Sequence, residues 1–517
     1  MKSYNRSSLR TIFLVLTCFF FLNQNTSQAQ SPWSKSLPGL GTFSSPRTAD
    51  LNGDGVQDII LGAGREEFLH CDSAVVAIDG SDGTLLWTGS ADDQVFASAA
   101  IKDLNGDGTE DVLIGGRTAE LKALNGKNGE ELWSFRTIVA KRKKQKRKYF
   151  NFYNPQWIPD QDGDGLEDIL ISNGGDVLAK PYDPKRPTGY LMVISSQNGQ
   201  ILAEAAMPDG RETYMSVAVM ATKYGEQKII FGSGGETIGG ALYVATLQEV
   251  LQGDLSKATK LASSKDKGFI GPPVWVDINQ DGTADIVANA VDGRLLAFDG
   301  ITYQAIWEAK MPNTEAYSSI AIGYFNSDAT PDFFVSYAEG VWPDLKWCKQ
   351  FMVDGASGQI QFEENLGFYQ TSTPVVLDVN QDGIDEALLL VTYQVQEEDL
   401  SASFYTMPML IDFKTGKALE LGLNVPGGNI ASTPWIGDLE KDGYLDILFC
   451  HGTDKRYYHA FNGLTVERLT TKISAQGVRW GAYMGSNYDG VFRNYKSSFK
   501  KPASIIGPSV GGNQDEK

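Results

Sequence analysis

A short acidic pattern, repeated along the chain, constrains this sequence more than any other feature. Asp50-Leu-Asn-Gly-Asp-Gly-Val-Gln-Asp58, followed by the apolar run Ile59-Ile-Leu61, returns at Asp103–Asp111, Asp160–Asp168, Asp277–Asp285, Asp378–Glu386 and Asp438–Asp446. Tyr324–Asp332 is a degenerate copy, with Tyr324 in place of the first acid and Ala329 in place of the glycine. The long interval between Asp168 and Asp277 is wide enough for one further unit. Within it, Met215–Gly232 keeps the flanking apolar runs and lacks the acidic loop. Eight units are therefore expected, each unable to bury its apolar surface alone and each stacking on its neighbours.

Other marks recur within the units. Ser44-Ser45-Pro46, Ser372-Thr373-Pro374 and Ser432-Thr433-Pro434 precede acidic loops, and hairpin patterns follow them. Val75–Trp87 and Leu121–Trp133 each place Asp-Gly or Asn-Gly between apolar runs, where glycine supplies the positive φ of a tight turn. Each unit reads as four antiparallel strands, A to D, and no helical period of useful length appears. The fold expected is all-β: a single eight-bladed β-propeller of four-stranded antiparallel blades spanning residues 30–497, with seven blades as the alternative. Pro32-Trp33-Ser34 resembles the outer end of a unit and Gly477–Phe492 follows the last one, so the two termini are expected to meet and close the ring.

The loop spacing places oxygens at positions 1, 3, 5 and 9, a backbone carbonyl at 7, and glycine at 6 for the bend. Flexible all-oxygen sets of this kind suit Ca²⁺ better than the stricter octahedron of Mg²⁺. The expected ligands are Asp50, Asn52, Asp54, Val56 and Asp58 in unit one, and Asp103, Asn105, Asp107, Thr109 and Asp111 in unit two. Unit three offers Asp160, Asp162, Asp164, Leu166 and Asp168, and unit five Asp277, Asn279, Asp281, Thr283 and Asp285. Unit seven offers Asp378, Asn380, Asp382, Ile384 and Glu386, and unit eight Asp438, Glu440, Asp442, Tyr444 and Asp446. About six structural calcium sites are thus expected. They are not EF-hands, because Leu61, Ile114 and Ile171 stand where an EF-hand needs a bidentate Glu.

The loop and its following strand resemble the FG-GAP/VCBS repeat of integrin α-chain propellers and bacterial secreted proteins. The Ala-x-Asp-Gly-x-x-Gly-x-x-x-Trp half, seen in units one, two and five, resembles the tryptophan-docking repeat of pyrroloquinoline-quinone enzymes and of the non-enzymatic outer-membrane assembly propeller related to them. The resemblance implies that A–B and C–D loops share one face while B–C and D–A connections share the other. The second face then receives the insertions 136–153, 173–190, 336–349 and 391–407. Their aromatic residues, Tyr182, Trp342, Trp347 and Tyr393 foremost, are candidates to stack on a sugar or anchor a protein.

Residues 1–29 read as a signal peptide, with Lys2, Arg6 and Arg10 before the apolar Thr11–Leu22 and a Ser27-Gln28-Ala29 cleavage site. The protein is expected to be exported to the periplasm, outer surface or exterior, with no transmembrane segment and a disordered tail over 498–517. A formal charge of −19 argues against nucleic-acid binding. The basic run Lys141–Lys148 is either a solvated loop or a contact to an anionic surface. With three histidines in the chain, a histidine-based metal or catalytic centre is not expected. Cys71 and Cys450 fall in units that closure makes neighbours, leaving a disulfide open. No catalytic constellation is recognisable. The functional expectation is a calcium-stabilised binding, adhesion or assembly scaffold for an extracellular or cell-surface protein or glycan. The alternative is a calcium-dependent polysaccharide lyase, similar to rhamnogalacturonan lyases on an eight-bladed propeller.

Overall fold

The structure is a computed structural model that describes residues 31–141, 148–369, 372–398 and 401–493. The expected leader, the tail over 498–517 and most of the Lys141–Lys148 run lie outside the described residues.

Eight antiparallel sheets follow one another along the chain and form the eight blades of a propeller. Blade one shows the plan: strand A is Arg47–Ala49, B is Asp58–Gly62, C is Cys71–Ile78 and D is Leu85–Ala91, paired in that order. Strands B and C are apolar on both faces because each blade is covered by its two neighbours, and Ile59, Ile60, Leu61, Val75 and Val76 are all fully buried. Blade four, Ala218–Ser264, is complete without an acidic loop, with a short turn joining its A and B strands. Among the described residues α-helix is confined to α1 (Phe135–Ala140) and α2 (Leu247–Leu251), both in connections, with one 3-10 turn at Ala475–Gly477.

The ring closes through the N-terminus. Trp33–Pro38 adds as the outer strand of blade eight, pairing with Gly463–Ser474 from Trp33 opposite Arg468 to Pro38 opposite Gly463. The C-terminal segment does not meet it. Val478–Trp480 pairs instead with Val375–Leu377, the innermost strand of blade seven, and the chain then runs across the channel. Ile436 of blade eight donates its N–H to Gly481, and Trp275 of blade five donates its N–H to Gly490. Arg47 of blade one donates to the Tyr483 carbonyl at 3.2 Å and lies 4.0 Å over the Tyr488 ring. Gln156 of blade three donates to the Tyr488 carbonyl. Residues 478–492 therefore fill the channel and touch the inner strands of at least six blades, blade six through Ala321–Gly323 and Tyr324. Small apolar and aromatic residues there, Ala482, Met484 and Trp480, are fully buried.

Candidate functional site

The acidic loops all lie on one face, and their local geometry explains their composition. In loop one, Asp50 accepts the N–H groups of Gly53 and Gly55, Asn52 that of Asp54, and Asp54 that of Val56. Side-chain oxygens thus take up the backbone donors of a tight bend. The ninth residue has a distinct role. Asp58 accepts from Leu51 N–H at 2.8 Å and from Gly80 N–H, in the C–D turn of its own blade, at 3.0 Å. Asp111 does the same with Leu104 and Gly126, Asp285 with Ile278 and Gly300, and Asp332 with Phe325 and Gly355. Burial pushes Asp58 up to about 6 and Asp332 up to about 7, against the pull of those N–H donors.

The same turn residue ties the preceding blade in. The Gly80 carbonyl accepts Trp33 Nε1 at 2.9 Å, that of Gly126 accepts Trp87 at 2.6 Å, and those of Ser196 and Gly355 accept Trp133 and Trp307 at 2.8 Å. Each tryptophan belongs to the preceding blade. A Cβ on Gly129, whose φ is +75°, would stand 2.7 Å from the Trp87 ring, so only glycine lets the indole lie on the turn.

The fit to a cation differs from loop to loop. Oxygens of Asp160, Asp162 and Asp168 lie within 4.8 Å of one another. Asp164 Oδ2 and Asp277 Oδ1 are buried and accept no hydrogen bond among the described residues. Hard oxygens left in this state fit Ca²⁺. Blade eight is different: Arg468, fully buried on strand C, pairs with Glu440 and lies 2.8 Å from Asp446 Oδ1. The Asp438, Glu440 and Asp446 oxygens cluster as well, but the guanidinium already sits on two of them. In blade seven, Lys414 pairs with Asp382 at 2.7 Å, and Arg479 lies 3.8 Å from Asp378 and 3.3 Å from Asp385. Among the described residues no cation pairs with the expected ligand carboxylates of blades one, two, three or five; in blade three Lys102 pairs with Glu167, which is not one of those ligands. Carboxylates of the C–D turn also approach the loops, a contribution the loop spacing did not show. Asp79 and Asp299 accept from Asn52 and Asn279, and Asp354 joins Asp328 and Asp332 in the degenerate loop of blade six.

The opposite face carries the B–C and D–A connections, and at its centre they converge. A cavity of about 420 Å³ is lined from blade one (Glu67), two (Phe96, Arg117), three (Tyr153, Arg186), four (Tyr214, Glu236) and six (Trp342), so it sits on the propeller axis. A second, of about 540 Å³, shares Arg186 and Thr237 with it and reaches Lys267 and Val341. The charges are mostly matched. Arg117 lies 2.8 Å from Glu67, Arg186 3.2 Å from Glu212, and Lys267 2.6 Å from Glu315. The Tyr214 hydroxyl donates to Glu212, and Tyr317 donates to Glu315. Insertions from blades three and six meet across the mouth, where Tyr182 OH donates to the Trp342 carbonyl at 3.3 Å.

The residue pattern of blades and loops matches one described family. The family model of the FAM234A/B β-propeller covers residues 33–379, more than half of the chain. The chain belongs to the FAM234A/B β-propeller family. This FAM234A/B propeller is 23% identical to human FAM234B over 419 residues, 72% of the chain and 60% of that protein. It is 22% identical to mouse FAM234B over 92% of the chain and 76% of that protein. The chain therefore spans less than two thirds of the human protein's length. Among solved structures, the quinohaemoprotein alcohol dehydrogenase ADHIIG of Pseudomonas putida HK5 superposes with a TM-score of 0.52 at 14% identity, over 85% of this chain and 76% of that one. A europium-containing methanol dehydrogenase gives 0.51 at 12%, over 84% and 92%. These likenesses concern the fold alone.

Of the four aromatic candidates, this FAM234A/B propeller brings two together. Tyr182 and Trp342 meet at the mouth, whereas Trp347 packs edge-on against Phe368 and Tyr393 stacks on Tyr405. The four do not form one site, because the insertions of blades six and seven extend their own B–C hairpins and pair locally. Arg117, Glu236 and Tyr214 line the mouth from connections that carry no insertion or motif, and Arg186 lies in the 173–190 insertion without being an aromatic candidate, so none of the four stood out in the sequence. Cys71, Cys348 and Cys450 are buried and form no disulfide among the described residues. Among the described residues no helix is long and apolar enough to cross a membrane.

Proposed function

We propose that this chain is an exported, calcium-stabilised β-propeller that serves as a binding, adhesion or assembly scaffold, contacting a protein or glycan through the face of the B–C connections. One observation carries the reading. Connections from five blades converge on an axial cavity at that face, while the repeated acidic loops lie on the other. A rigid ring that presents variable loops around a mouth is suited to recognition. The acidic loops repeat blade by blade, which suits a structural metal rather than a singular catalytic one. The FG-GAP/VCBS likeness of the loops and the leader-like first 29 residues favour an exported, calcium-bearing protein.

The calcium expectation is refined by the internal cations. Arg468 serves the loop of blade eight, and Lys414 with Arg479 that of blade seven, so calcium belongs to four loops, those beginning at Asp50, Asp103, Asp160 and Asp277. A glycan array, paired with an absorbance assay for unsaturated uronate, tests the function. Binding by the wild-type protein that is lost in a Tyr182→Ala/Trp342→Ala variant, without bond cleavage, is the expected result. Turnover of an acidic polysaccharide that Asp103→Ala abolishes in a still-folded protein would establish the lyase reading instead.

A further inference from the structure

The mouth contains a carboxylate that its pairing leaves over. Arg117, Arg186 and Lys267 are matched by Glu67, Glu212 and Glu315. Glu236, on the B–C connection of blade four, lines the same cavity, and among the described residues it makes no hydrogen bond or ion pair. A carboxylate in a half-buried site without a partner has lost hydration that nothing replaces. Burial, with Glu315 nearby, holds its carboxyl above the ordinary Glu value, against the opposing pull of Lys267, Arg186 and Arg117. Phe96, Tyr153, Tyr214 and Trp342 wall the cavity, and their ring faces attract cations. Outside it, Phe68 and Leu69 of blade one, Leu178 and Tyr182 of blade three and Val341 of blade six are exposed, Leu178 to 70%. Exposed apolar groups clustered at one mouth mark a contact surface.

Building on the proposal that this face is the contact face, we infer that the mouth accepts a basic side chain of a partner polypeptide. The Arg or Lys head meets Glu236, its stem lies along the aromatic walls, and the apolar neighbours of that residue rest on the exposed rim. The cavity volume falls within the usual range for a ligand site and accommodates one such side chain. An anionic ligand fits less well beside Glu236, because Arg117 and Arg186, the cations lining that cavity, already face carboxylates, whereas Arg211 and Lys265 line only the second cavity. A neutral saccharide has no use for an unmatched charge.

The test uses the full chain in calcium and the fluorescein-labelled peptide Gly-Leu-Arg-Leu-Gly, with Gly-Leu-norleucine-Leu-Gly as its uncharged counterpart, followed by fluorescence anisotropy. The arginine peptide is expected to bind at least tenfold more tightly than the norleucine peptide. Glu236→Gln should remove that preference at an unchanged melting temperature, and Trp342→Ala should weaken both peptides. Equal binding of the two peptides, an undiminished preference in Glu236→Gln, or binding of neither at millimolar concentration would overturn the inference. If both bind equally and both are lost in Trp342→Ala, the contact face stands and only the basic side chain is wrong. Binding that neither substitution alters would remove both readings.

Discussion

The backbone of Gly126 shows how much one residue can hold. Its N–H donates to Asp111 in its own blade, and its carbonyl accepts Trp87 from the blade before. Trp87→Phe keeps most of the packing and strands the carbonyl, and should cost about 1–3 kcal/mol. Trp87→Ala adds a cavity and should cost about 3–5 kcal/mol. Urea unfolding of the two variants checks the order. A second residue-scale expectation concerns the thiols. Burial pushes Cys450 up to about 12 and also raises Cys71, so the reactive thiolate is suppressed in the native protein at pH 8. Ellman's reagent should find Cys71, Cys348 and Cys450 unreactive until denaturant is added, and prompt reaction in the native state would contradict their burial. The recurrence of Trp87, Trp133 and Trp307 was legible in the chain. Their acceptors were not, because each lies on another blade, 39 to 63 residues away.

At the scale of single elements, the acidic loops were legible because their chemistry is local: nine residues hold both the bend and the acids. What varies between them was hidden. Arg468 reaches Asp446 from 22 positions along the chain, and Arg479 reaches Asp378 from the channel segment, so neither belongs to the loop it serves. Position nine read as a ligand and is also a staple to the C–D turn, since the turn's N–H lies elsewhere in the unit. Arg468→Met leaves Glu440 and Asp446 buried without their cation and should cost about 3–5 kcal/mol in the presence of chelator. If the guanidinium stands where an ion otherwise would, added calcium should restore part of that loss. A melting temperature of Arg468→Met that does not respond to calcium beyond the wild-type response would show that this loop cannot take an ion.

At the scale of the whole molecule, the eight-bladed ring followed from counting units, including the one without acids. The course of the C-terminus did not follow, because Gly477–Phe492 comes after the last complete unit and nothing local says that it crosses the channel. Its burial against Trp275, Arg47 and Val376 makes it part of the core. A chain ending at Gly477 should therefore melt well below the full chain, with increased hydrogen exchange in strands A of blades five and seven. The two faces are predicted to be separable: one holds cations and sets stability, the other makes contact. The mouth residues could not be assembled from the sequence, since Glu67, Arg117, Arg186 and Glu236 are brought together only by ring closure.

The most direct measurement is the melting temperature of the full chain in excess calcium and after chelation. A site at 100-fold excess over its Kd contributes about 2.7 kcal/mol, so emptying four should lower the melting temperature by on the order of 10 °C. Trp342→Ala should show the same drop. Superimposable melts with and without calcium would contradict the account.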